Sequence, residues 1–114
     1  MQERRKFVRV DAPVLVEFTE PGKNQVERSF THDVSEVGMR FPTTVKFKIG
    51  QEIPFMLGLP MEQPMMKTLG HVIWIREVSS FTRFEQYEVG VRFSWVHDPD
   101  RQRLVKHLNA LLGE

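Results

Sequence analysis

The clearest pattern of hydrophobic and polar positions lies near the C-terminal end of the chain. Between residues 87 and 95, apolar side chains alternate with polar residues or glycine. Strict alternation of this kind predicts a half-buried antiparallel strand. The apolar members are Tyr87, Val89, Val91, Phe93 and Trp95.

A helix is predicted directly behind this strand. Asp98 suits an N-cap, and Pro99 suits the first helical position. Apolar residues then recur at helical spacing, which predicts an amphipathic helix over residues 98–112. Its apolar stripe consists of Leu104, Val105, Leu108, Leu111 and Leu112.

The chain before residue 87 consists of short apolar and β-branched segments separated by turn residues. Many short strands followed by one terminal helix predict an all-β fold, a small antiparallel β-barrel packed by a C-terminal α-helix. We expect the barrel domain to span residues 13–114 behind a flexible N-terminal arm of residues 1–12. The predicted strands are 14–18, 25–32, 39–41, 45–47, 53–59 and 67–77, and residues 33–38 are predicted to be a turn.

Composition fits one ordinary domain. The chain has 114 residues, of which 40% are hydrophobic and 27% charged. No apolar run approaches the ~20 residues that a membrane helix needs, so we expect no membrane insertion. The absence of cysteine excludes disulfides and thiol catalysis and makes a cytoplasmic protein the simplest expectation.

The charge balance argues against a protein that binds long nucleic acid. The net charge is +1, whereas such proteins usually carry a marked basic excess. The positive charge is instead concentrated in Arg4, Arg5, Lys6 and Arg9. A small anion is a better match for so local a cluster.

Arg5 and Arg9 form an Arg-x-x-x-Arg pair in this arm. The planar fork of arginine bonds a phosphate bidentately and also matches the O6 and N7 acceptors of guanine. With ten arginines in the chain, about one such pair is expected by chance. The alternative is therefore a solvated basic N-terminus.

Asp33, Ser35 and Gly38 form a sharper motif, Asp-x-Ser-x-x-Gly. The composition gives it a chance expectation of roughly 0.01. Asp33 and Ser35 provide hydrogen-bond acceptors, and Gly38 lets the backbone turn without a Cβ. The alternative is an ordinary tight turn in which Asp33 bonds its own backbone.

The two motifs, in this order, resemble the ligand signature of the PilZ domain family, bacterial receptors for cyclic di-GMP. The resemblance extends from Arg4 to about Leu112, and two further segments match the family: Gly70-His71-Val72-Ile73-Trp74 and Gly90-Val91-Arg92-Phe93. It implies a six-stranded barrel whose arginine arm closes over cyclic di-GMP, often bound in the family as a stacked pair.

Carried onto this sequence, the resemblance assigns ligand contacts to the two motifs, with one more cation in front. Trp74 either stacks on a guanine or packs in the core, as a tryptophan on a β-rich strand usually does. The candidate site is therefore Arg4, Arg5, Arg9, Asp33, Ser35, Gly38 and Trp74.

The resulting hypothesis is a receptor that orders its arm on binding cyclic di-GMP and signals to a downstream protein, which the sequence does not identify. No arrangement of residues suggests catalysis, a metal site or a cofactor. One alternative is a nucleotide-independent interaction module of pilus or motility assembly. Another is a small barrel that binds single-stranded nucleic acid, which the near-zero net charge disfavours.

Overall fold

The strands form one continuous antiparallel sheet. The computed structural model describes residues 8–78 and 86–113. Seven strands lie in the order β2-β1-β5-β6-β7-β4-β3, and one helix follows them. The elements are β1 Leu15–Thr19, β2 Val26–Phe30, β3 Asp33–Ser35, β4 Gly38–Thr43, β5 Glu52–Gly58, β6 Met66–Glu77, β7 Tyr87–Val96 and α1 Asp98–Leu111.

The sheet curls into a half-barrel. Its edge strand β2 comes near β4, where the Ser29 hydroxyl donates to the Pro42 carbonyl. The predicted class, a mostly β fold with a C-terminal helix, is confirmed. The expected count of six strands is wrong, because the described residues contain seven.

The difference from the predicted elements lies around two segments. Asp33–Ser35, predicted to be part of a turn, pairs with β4 as a strand and leaves only two residues for the turn itself. Conversely, residues 45–47 were predicted to be a strand but lie outside the sheet. Val45 and Phe47 are nevertheless buried and alternate with exposed lysines. The alternation in that segment therefore reflects burial without strand pairing.

Four phenylalanine rings fill the centre of the half-barrel. Phe18, Phe41, Phe47 and Phe55 are each at most 4% exposed. Every pair among them lies within 5.2–6.4 Å between ring centroids, at tilted or edge-to-face angles. These are the separations and angles that aromatic pairs prefer. The rings thus join β1, β4, β5 and the segment after β4 into one core.

Helix α1 is attached to this core by both apolar and polar contacts. Leu104 is fully buried and Leu108 is 5% exposed. The Asp100 carboxylate accepts hydrogen bonds from the Lys67 backbone N–H at 3.0 Å and from Arg103 at 2.9 Å. Burial raises the pKa of Asp100, but these two donors outweigh it and lower the pKa overall. Within the described residues, no helix is long and apolar enough to cross a membrane.

The described end of the N-terminal arm is joined to the sheet. Val10 forms an antiparallel bridge with Val34, with N···O distances of 2.9 and 3.0 Å. Val10 and Ala12 are both buried in the core cluster. Residues 1–7, including Arg4 and Arg5, lie outside the described residues. The arm boundary at residue 12 therefore stays a prediction, with residues 8–12 adjoining the β3 edge.

We expect Leu104→Ala to lower the free energy of unfolding by about 2–5 kcal/mol, because it leaves a cavity between helix and sheet. Urea denaturation measures this directly. Leu111→Ala is the control, since Leu111 is 50% exposed and its truncation should change stability by no more than about 0.5 kcal/mol. Equal effects of the two substitutions would contradict the proposed helix packing.

Candidate functional site

The register of four strands places one row of candidate residues across the outer face of the sheet. Asp33 of β3 pairs with Arg40 of β4, Arg40 pairs with Gly90 of β7, and Gly90 pairs with Trp74 of β6. Paired residues project to the same face of a sheet, and the next residues along each strand project to the other. On β4 and β7 these next residues include Met39 and Val91, which are at most 2% exposed in the core.

A second row lies beside the first on the same face. Ser35 pairs with Gly38, Gly38 with Arg92, and Arg92 with His71. Arg9 joins the end of this row, because it precedes Val10, whose bridge to Val34 turns Arg9 to the side of Ser35. We call the surface formed by these two rows the motif face.

Asp33 is held by two arginines, one on each carboxylate oxygen. Arg9 Nη1 lies 2.8 Å from Oδ1. Arg40 donates to Oδ2 from Nε at 3.0 Å and has Nη2 at 2.9 Å from the same oxygen. The Asp33 side chain is 10% exposed, whereas that of Arg9 is 42% exposed. The two halves of the sequence motif therefore meet at a nearly buried carboxylate.

Ser35 and Gly38 have local roles that the sequence only partly indicates. The Ser35 hydroxyl accepts a hydrogen bond from the Val37 backbone N–H at 3.2 Å, which stabilises the turn between β3 and β4. Gly38 does not adopt a positive φ. A Cβ there would lie 2.4 Å from the Val91 carbonyl oxygen. Glycine is therefore needed for the close approach of β4 to β7, and the expected role in turning the backbone is not what the conformation requires.

Trp74 lies on the motif face and outside the core cluster. It is half-buried, and its indole covers Gly90. A Cβ on Gly90 would lie 2.2 Å from the indole Nε1. Since neighbouring strands are about 5 Å apart, the ring position is about 10 Å from the Asp33 strand. Whether a ligand stacks on this ring stays a prediction.

A nearly buried carboxylate, Glu88, lies on the same face, in the next row beyond Arg40 and Gly90, and was not predicted. Its side chain is 6% exposed and contacts His32 Nδ1 at 2.6 Å, Arg76 at 2.5 Å and Arg40 at 3.5 Å. Burial raises the pKa of Glu88, but the hydrogen bond with His32 and the charges of Arg40 and Arg76 outweigh it. The pKa is therefore lowered overall.

The motif face thus brings together five of the seven predicted site residues: Arg9, Asp33, Ser35, Gly38 and Trp74. Arg4 and Arg5 lie outside the described residues. Sequence reasoning left Arg40 out of the site and did not consider Glu88. The available signal for Arg40 was its even spacing from Gly38, which puts both on one face of a strand. Across residues 8–78 and 86–113, no group of three potential metal ligands comes together.

The fold and the paired motifs define a small β-barrel-like domain with a phosphate-compatible face. A model of the PilZ domain matches residues 3–110. The match covers nearly the whole chain, so the chain belongs to the PilZ domain family. No curated protein matches the sequence.

Solved structures with the same fold include three that span the length of this chain. The Bacillus subtilis inhibitor of motility, MotI/DgrA, has 20% identity and a TM-score of 0.78, over 99% of this chain and 54% of that one. Escherichia coli YcgR in complex with c-di-GMP has 20% identity and a TM-score of 0.72, over 96% and 46%. The K. pneumonia MrkH–c-di-GMP complex has 16% identity and a TM-score of 0.74, over 97% and 53%. The chain thus spans about half the length of these proteins.

Gly90→Ala should displace the Trp74 indole, because the new Cβ and the ring cannot occupy the same space. In a Trp95→Phe background only Trp74 fluoresces, and its emission should shift to longer wavelength as the ring becomes more solvated. Gly58→Ala is the matched strand control, since its nearest neighbours are side-chain atoms at 3.3–3.4 Å. An unchanged Trp74 emission in Gly90→Ala would show that the indole does not lie on Gly90.

Glu88→Gln should destabilise the protein at pH 7 by about 1–3 kcal/mol, the cost of weakening hydrogen bonds to charged groups. Folding lowers the pKa of Glu88 below its ordinary value of 4.5. The unfolded state therefore binds the proton first, and the stabilisation present above pH 4.5 is lost as pH falls through the native pKa. The stability difference between wild type and variant should shrink over that acidic range.

Denaturant titrations between pH 7 and pH 3 measure this difference. Glu17→Gln is the control, because Glu17 pairs with the exposed Arg28 between β1 and β2 and has no contact with Glu88. An exposed pair of this kind should contribute roughly 0–1 kcal/mol. A Glu88 effect that stays constant with pH would show that its charge does not stabilise the native state.

Proposed function

We propose that this chain is a receptor for cyclic di-GMP. The observation that carries the proposal is the ion pair of Arg9 and Asp33 at 2.8 Å, 24 positions apart in sequence. It joins the arginine motif and the Asp-x-Ser-x-x-Gly motif at one surface. Membership of the PilZ family supports this function, as do the c-di-GMP complexes among the proteins of the same fold.

The chemistry of the motif face suits this ligand. An ionised carboxylate accepts hydrogen bonds only, so Asp33 matches the N1–H and N2–H donors of guanine. Arginine forks match the ligand's phosphates and the O6 and N7 acceptors of the base. Arg9 donates to Asp33 Oδ1, so the proposed binding exchanges partners: the base takes the carboxylate, and Arg9 turns to the ligand.

The output of this receptor is proposed to pass through the arm. The part of the arm before Val10 closes over the ligand, with Arg4 and Arg5 adding cations, and the altered surface is offered to a partner protein in the cytoplasm. The Val10 bridge to Val34 places the C-terminal end of the arm against the motif strand β3. A stacked pair of ligand molecules is part of the same proposal.

Isothermal titration with cyclic di-GMP, with cyclic di-AMP as control, tests the function. Saturable binding of the guanine ligand alone supports the receptor, and the stoichiometry distinguishes one ligand molecule from a pair. If a second method also finds no binding, the function is wrong. The nucleotide-independent interaction module then takes its place.

Arg9→Ala should weaken cyclic di-GMP binding by at least about 1.5 kcal/mol, or about tenfold, the low end for a charge-assisted hydrogen bond. Arg5→Ala should do likewise. Arg28→Ala is a matched control, because Arg28 forms an exposed ion pair with Glu17 between β1 and β2, strands that belong to neither row of the motif face. Affinities unchanged in both arm variants would contradict the assigned site.

A further inference from the structure

Asp33 depends on two arginines that differ in how firmly they are held. Arg9, on Oδ1, has a 42% exposed side chain at the end of the arm. Arg40, on Oδ2, is 33% exposed and lies within strand β4. Asp33 Oδ2 is therefore paired with a residue of the sheet. Asp33 Oδ1 is paired with Arg9, which lies outside the sheet and is the partner that can move away.

Arg40 also contacts Glu88, which lies in the next row of the same face. Arg40 Nη1 lies 3.5 Å from Glu88 Oε1, so one guanidinium spans both carboxylates. Glu88 is fixed by its burial and by contacts with His32 and Arg76. The planar guanidinium presents its donors in a rigid fork, so fixing one end orients the other.

The side of Arg40 that faces β7 is also restricted. Its neighbour on that strand is Gly90, and the Trp74 indole covers the space above that glycine. Arg40 thus lies between Asp33 on one side and a position filled by the indole on the other. Because the indole fills the space on the β7 side, the Arg40 guanidinium points towards Asp33.

We propose that Arg40, anchored by Glu88, is the positioning residue that aims the Asp33 carboxylate at the base of the ligand and so sets the preference for guanine over adenine. The inference rests on the proposed function. A carboxylate is an acceptor only, and adenine offers a ring-nitrogen acceptor where guanine offers the N1–H donor. A fixed Asp33 therefore rejects adenine, whereas a loosened one turns away and discriminates less.

A purely stabilising role for Arg40 makes a different prediction. Loss of stability alone lowers the folded fraction and affects all ligands alike. Loss of positioning changes the ratio of affinities for cyclic di-GMP and cyclic di-AMP. The ratio, measured on protein shown to be folded by circular dichroism, separates the two roles.

The experiment compares Arg40→Ala, Arg40→Lys and Glu88→Gln with wild type by direct titration with cyclic di-GMP and by competition, in which excess cyclic di-AMP displaces bound cyclic di-GMP, so that an affinity too weak for direct titration is also measured. Arg40→Ala should lower the affinity for cyclic di-GMP about tenfold and lower the affinity ratio by a similar factor. Glu88→Gln should lower the ratio less, since it acts through Arg40. Arg40→Lys should recover part of the affinity but little of the ratio, because an ammonium lacks the fork.

Arg28→Ala and Glu17→Gln are matched controls, because Arg28 and Glu17 form another arginine–carboxylate pair across two strands. Both variants should retain the wild-type ratio of affinities for the two dinucleotides. If Arg40→Ala does not fold, Arg40→Lys and Glu88→Gln decide the question. A wild-type ratio in the folded variants would overturn the positioning role and leave the receptor standing. Wild-type protein that binds neither dinucleotide would overturn both.

Discussion

The pairing of β4 with β7 depends on a glycine in each strand: Gly38 allows the close approach of the two backbones, and Gly90 makes room for a side chain of β6. Gly38 leaves no Cβ to meet the Val91 carbonyl oxygen, and Gly90 leaves the space that the Trp74 indole fills. The side-chain period of a strand is two, so this single register fixes both faces at once. A slip of one residue would turn Met39 to solvent and bury Arg40. The core and the motif face are therefore consequences of the same pairing.

The register also gathers charges that are costly to bury separately. Asp33 and Glu88 are both nearly buried carboxylates, and Arg40 contacts both. Taking one charge out of water costs several kcal/mol unless partners are in place, and removing one partner leaves the other uncompensated. Ion pairs with Asp33 thus hold Arg9 and Arg40 in place on this face. Such preorganisation lowers the ordering cost of binding an anion.

How much could be predicted from the sequence depends on the range of the interaction. The alternation of β7 and the stripe of α1 are local patterns, and both elements appear within about one residue of the predicted bounds. The segment at 45–47 alternates equally well without being a strand. Alternation records which side chains are buried, and pairing needs a second strand. Neither motif alone indicates that Arg9 and Asp33 belong to one site. The resemblance to a family led to that prediction.

The contacts that sequence reasoning missed are non-local. Arg40 and Glu88 are 48 positions apart in sequence. The contact of the Trp74 indole with Gly90 depends on the register of β6 with β7. That register includes two irregularities, between Leu69 and Gly70 and between Val72 and Trp74. A bulge adds a residue to one strand and so changes which side chains share a face. At such positions, the alternation of residues in the sequence does not predict which side chains share a face of the sheet.

In the proposed receptor, ligand binding is an exchange of contacts at the Arg9–Asp33 pair. An ion pair whose arginine is 42% exposed is expected to contribute only roughly 0–1 kcal/mol, since solvent screens it. Breaking it therefore costs the ligand little. Together with Arg40, the pair nevertheless neutralises the nearly buried carboxylate. Reversible binding requires one partner of Asp33 that leaves easily and one that stays. Arg9 is the partner that leaves, and Arg40 keeps the Asp33 carboxylate in position.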